Sequence, residues 1–71
     1  MTLTEAFKKA EAIIPPDHFF GISLACQRGK NGVVKCIYAS SRKAAELDGG
    51  IYCRQFKTLE EAVDVITKPY L

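Results

Sequence analysis

Two apolar β-prone runs, His18 to Gln27 and Val33 to Ala39, flank Arg28-Gly29-Lys30-Asn31-Gly32. No other feature of the chain limits its fold so tightly. In the first run the even positions Phe20, Ile22, Leu24 and Cys26 form an apolar row, while Gly21, Ser23, Ala25 and Gln27 are small or polar; this two-residue period is that of a strand with one buried face. The second run is rich in β-branched residues. Glycine and asparagine tolerate the backbone conformations of a tight turn, so the segment predicts an antiparallel hairpin.

Helices are expected on both sides of it. Leu3, Phe7, Ala10 and Ile14 recur every three or four residues and share one stripe. Thr2 or Thr4 supplies an N-cap, and Pro15-Pro16 ends the helix because neither proline donates a hydrogen bond. Near the other end, Thr58-Leu59-Glu60-Glu61 has the form of a capping box, ahead of a stripe of Leu59, Ala62, Val63 and Ile66 that ends near Pro69. Between hairpin and last helix, Ser40 or Ser41 can cap a short helix through Leu47, with Gly49 closing it in the left-handed conformation. Ile51 to Phe56 reads as a third strand.

The order is therefore α-β-β-(short α)-β-α in a single α+β domain spanning residues 1–71. Two layers bury it most economically: a three-stranded, mainly antiparallel sheet with both terminal helices on one face. The expected core comprises Phe7 and Ile14 from the first helix, Phe20, Ile22, Leu24, Val34, Cys36 and Tyr38 from the hairpin, and Leu59, Val63 and Ile66 from the last helix. A chain of 71 residues buries only about 60–65% of its unfolded surface, so any functional surface lies near the rim of a small core.

If even positions point inward on both hairpin strands, Phe19, Val33, Lys35, Ile37 and Ala39 point outward. On the third strand Ile51 and Cys53 suit the inside, which sends Tyr52, Arg54 and Phe56 out. The open face then mixes aromatic and apolar groups with cations, a composition enriched at protein interfaces. Two other treatments of this face are available. The segment Arg42 to Leu47 can fold over it, or the edge of the third strand can self-associate; monomer and homodimer both remain open.

Charge is unevenly distributed. From Arg28 to Lys57 seven bases face two acids, a net +5, whereas Thr58 to Thr67 carries Glu60, Glu61 and Asp64 and no base, a net −3. The candidate partner-binding residues are Arg28, Lys30, Lys35, Ile37, Arg42, Lys43, Tyr52 and Arg54. The expected function is a non-enzymatic protein-binding module, an adaptor or an inhibitor of a larger complex. In size and lack of catalytic groups it is similar to small accessory proteins of phages and mobile elements. The alternative is RNA or DNA binding, with the bases on phosphates and Tyr52 or Phe19 stacked on nucleobases.

Two nucleic-acid families share features with the chain. Gly29-Lys30-Asn31-Gly32 resembles the G-x-x-G loop of K-homology RNA-binding domains, which clamps backbone phosphates. That family sets the loop between helices, whereas here a hairpin turn accounts for both glycines. The order helix, three strands, helix resembles double-stranded RNA-binding domains, which meet phosphates with lysines at the start of the last helix. Thr58, Leu59, Glu60 and Glu61 stand at that place, so the resemblance does not carry the function across.

No catalytic, cofactor or metal site is expected. His18 is the one histidine, and adjacent Asp17 points away from it on an extended strand. No C-x-x-C or histidine pair offers zinc ligands. Cys26, Cys36 and Cys53 are an odd set within apolar runs, which reads as three packed thiols in a reducing compartment, the cytoplasm. No run of ~18 apolar residues suggests a membrane span, and the first twelve residues lack the pattern of a secretory signal.

Overall fold

The structure, a computed structural model, describes residues 1–47, 49 and 54–71, and only the backbone of Gln27. It is an α+β fold: α1 (Leu3–Ile13), β1 (Phe20–Gly29), β2 (Gly32–Ser41), α2 (Arg42–Leu47), β3 (Arg54–Phe56), α3 (Leu59–Thr67) and a final 3-10 turn (Lys68–Tyr70). The strands form an open antiparallel sheet in the order β1-β2-β3.

Local chemistry sets the ends of these elements. Thr2 caps α1 by accepting the Glu5 N–H at 3.1 Å, and the Thr2 N–H donates to the Glu5 carboxylate at 2.8 Å. The reciprocal box thus forms at this end of the chain. At α3 the forward half forms, with the Glu61 N–H donating to Thr58 at 3.1 Å. Glu60, rather than Glu61, finds a new partner there: its carboxylate lies 3.1 Å from the N-terminal ammonium of Met1. Ser41 caps α2 by accepting the Ala44 N–H at 3.4 Å, and Gly49 follows that helix at φ +72°, as a left-handed closing residue should. In the hairpin Gly32 alone takes a positive φ, +108°, while Asn31 does not.

The register of the hairpin reverses one expectation. Gly29 faces Gly32 across a two-residue loop, Lys30-Asn31, so every even residue of β1 faces an odd residue of β2. Side chains of facing residues share a face of the sheet. The inward row of β1 is even, as read from the sequence, but that of β2 is odd. Ile22 and Ala39 are buried together beneath the helices, and Ile37 packs against the same cluster. Val34, Cys36 and Tyr38 therefore lie on the opposite face. Cys36 is nonetheless buried, with the Gln55 side-chain amide donating to its Sγ at 3.4 Å.

β3 differs in the same way. Phe56 faces Ile37 and is buried in the core, not turned outward, and Arg54 faces Ala39 on the helix side. Ile51, Tyr52 and Cys53, and with them the expected orientation of Tyr52, lie outside the described residues.

The core is built from small residues as much as large ones. Ala6 and Ala10 of α1 and Ala62 of α3 are fully buried beside Val63 and Ile66, which lets α1 and α3 approach closely. Phe7 and Phe20 meet at its border in a tilted pair, with ring centroids 5.6 Å apart. α2 packs against α3, β2 and the final turn, and Ala44 and Ala45 share a cleft with Ala39, Phe56 and Ile66, which sets α2 on the helical side of the sheet. Ser41 anchors this corner: its hydroxyl donates to the Ile66 carbonyl at 2.7 Å in a fully buried position.

Candidate functional site

The hairpin outruns the helices. Ten strand residues span about 34 Å, whereas the eleven residues of α1 rise about 16 Å and the nine of α3 about 14 Å. The helical layer can therefore cover only the base of the hairpin. From Ser23 to Lys35 every residue whose side chain is described is exposed. Leu24, Val33 and Val34 stay 57%, 60% and 58% accessible. The expected burial of Leu24, Val34 and Cys26 is thus corrected: their strand positions are right for a sheet, but among the described residues no second layer stands over them. The radius of gyration, 12.6 Å, exceeds the roughly 11 Å of a compact chain of this length, and the long axis reaches 41 Å.

This projecting ribbon is basic. No acid occurs between Asp17 and Glu46, while Arg28, Lys30 and Lys35 all lie on the ribbon and are exposed. Arg28 faces Val33, and Lys35 faces Cys26, so the two cations sit diagonally on one face together with Leu24 and Val33. The other face presents Ser23, Ala25 and Val34. The ribbon therefore offers one amphipathic basic face, a smaller and more neutral reverse, and Lys30 at its tip.

The remaining candidate residues do not join it. Arg42 pairs with Glu46 at 3.5 Å along α2. Lys43 lies with its Nζ 5.0 Å from the centre of the Tyr70 ring, and its backbone N–H donates to the Tyr70 hydroxyl at 3.2 Å. Arg54 leans over the Phe56 ring at 5.7 Å. Ile37 belongs to the core margin. The sequence grouping thus divides into a ribbon set (Arg28, Lys30 and Lys35), a body set (Arg42, Lys43 and Arg54), one core residue (Ile37), and Tyr52 beyond the described residues. Val33, expected to point outward, is exposed, and Leu24 and Val34 join the surface although both were expected in the core; the signal for them was the length of the strands relative to a helix stopped by Pro15.

His18 is a contact of the C-terminal turn. Its Nδ1 lies 3.0 Å from the Tyr70 hydroxyl and the two rings meet edge to face. Tyr70 thereby ties the start of β1 to α2. Among the described residues no group of three or more potential ligands is placed to hold a metal ion, and Cys26 and Cys36 are free thiols, Cys26 being exposed. No helix among the described residues is long and apolar enough to cross a membrane.

Two carboxylates titrate low. Hydrogen bonds from the backbone and then the side chain of Thr2 hold Glu5 below the ordinary carboxylate value. Glu60 is lowered first by its own backbone N–H and then by the Met1 ammonium. Both stand at helix N-termini, where the exposed N–H groups favour negative charge. Neither lies on the ribbon.

In comparisons with known proteins, no family model matches the chain, and no curated protein or solved structure matches it.

Proposed function

We propose that this chain is a non-enzymatic protein-binding module, an adaptor or an inhibitor of a larger complex, that docks through its projecting basic ribbon. One observation supports this reading above others: the run from Ser23 to Lys35 places exposed aliphatic side chains among three cations and no acid. Aliphatic groups held in water gain by burial against a partner, and the cations select a partner surface that is acidic. Free thiols at Cys26 and Cys36 favour a reducing compartment, and the cytoplasm is the proposed location.

The test is partner capture with Lys30→Glu/Lys35→Glu, whose positions are exposed and make no core contact. Wild type is expected to retain a defined protein partner, and the double variant to lose it while its far-UV circular dichroism stays unchanged. Equal capture by both proteins would place the docking surface elsewhere.

Nucleic acid is the second reading, and the ribbon's form favours it: a two-stranded antiparallel ribbon fits a DNA major groove. Against it stand the aliphatic content of the ribbon and the net −3 on α3. A gel-shift series separates the two, because phosphate contacts weaken steeply with salt. A shift at low salt that vanishes on raising it would replace the protein reading with this one.

A further inference from the structure

Among the described residues β1 is an edge strand along its full length. The order β1-β2-β3 leaves one side of Phe20–Gly29 without a strand neighbour among the described residues. Edges are normally blunted by charge, proline or a bulge. From Phe20 to Gln27 this strand has no charge and no proline, and its ladder with β2 pairs every residue without a bulge. Midway along it Leu24 is 57% accessible.

We propose that β1 pairs antiparallel with β1 of a second copy, around a two-fold axis at Leu24, joining two three-stranded sheets into one. The register follows from the faces and the charges. A two-fold normal to the sheet puts both helical layers on the same side, so even residues must face even residues. Centring on Leu24 sets Leu24 against itself, Ile22 against Cys26, and Arg28 against Phe20 of the other copy. Phe20 borders a cleft also lined by Glu11, Ile14, Pro15, Pro16 and His18. Arg28 of each copy therefore reaches the cleft holding Glu11 of the other, and an opposite-charge contact forms twice. The same arrangement keeps the cationic tips apart: the two Lys30 residues end about 40 Å from each other, well beyond the screening length of about 8 Å at physiological salt. A parallel arrangement would stack the tips. Exposed Leu24 is covered by its counterpart and by the base of the other hairpin, whereas Lys30, Val34 and Lys35 stay available, so the dimer goes beyond the partner-docking reading and does not depend on it.

Sedimentation equilibrium on the purified full chain tests this. Wild type is expected to be a dimer. Leu24→Lys and Leu24→Glu should each raise the dimer Kd at least about tenfold, with circular dichroism unchanged because the side chain is already exposed. An equimolar mixture of the two should form the dimer again, since residue 24 meets only residue 24. Arg28→Glu should weaken the dimer, and adding Glu11→Arg to the same chain should restore it. A wild-type monomer throughout, an unchanged Kd in both Leu24 variants, or a mixture that stays monomeric overturns the proposal. Failure of Glu11→Arg to rescue overturns the register.

Discussion

The two halves of one hairpin have opposite fates. At the base, Ile22, Ala39 and the margin residue Ile37 lie under α1 and α3, where Ile66 and Val63 are fully buried. Toward the tip the same alternation continues through Leu24, Val33 and Lys35, yet all three stay exposed. Strand propensity, pairing and facing are shared, and only the reach of the helices differs. Apolar side chains at equivalent sheet positions thus serve as core in one half and as surface in the other. Alternation within a strand reports which face a residue takes, while burial depends on a second element the strand does not encode.

Truncation probes that contrast most sharply. Ile66→Ala is expected to cost about 2–5 kcal/mol, the range for removing a large aliphatic group from a packed core, whereas Val33→Ala should stay within about 0.5 kcal/mol. Urea denaturation of both variants measures it, and equal losses would mean that the ribbon is packed like the base. A middle effect is expected at the corner joining them. Ser41→Ala removes the donor to the Ile66 carbonyl and the cap of α2 at once, and should cost about 1–3 kcal/mol because a buried acceptor loses its partner. The smallest effect concerns the first turn of α1. Glu5 is held low first by the Thr2 backbone N–H and then by the Thr2 side chain, so Thr2→Ala, which keeps the N–H, should raise its pKa only part of the way toward the ordinary value in an NMR titration. A depressed carboxylate pKa adds stability that is present above the unfolded value and lost as pH falls through the lowered one. The variant should accordingly lose some stability at neutral pH and show a weaker dependence on acid. An unmoved Glu5 would show that the cap does not set its titration.

Much of this fold was legible in the residues. Both terminal helices, the hairpin, the short α2 and the left-handed Gly49 follow from capping residues, glycines and apolar period, all of which act over a few positions. The facing of β2 was not. Its odd row (Val33, Lys35, Ile37, Ala39) and even row (Val34, Cys36, Tyr38) are both largely apolar, so composition cannot choose between them. The choice falls to the loop: an even number of residues between Gly29 and Gly32 reverses the parity from strand to strand. The position of Lys35 in the odd row favoured the wrong answer, because a lysine beyond the helical layer is exposed on either face. The ribbon cations were legible as residues but not as one surface. Their grouping depends on helix length against strand length, which Pro15-Pro16 already fixes for α1.

The separation of charge along the molecule has a consequence for how it meets other molecules. Arg28, Lys30 and Lys35 ride toward one extremity of a 41 Å long axis, while the rest of the chain, with seven bases and eight acids, is nearly neutral. Such a body carries a permanent electric moment, so an approaching field exerts a torque on it before any contact is made. The chain would rotate tip-first toward negative potential, and the rate of encounter, more than the lifetime of the bound state, would fall as salt is added.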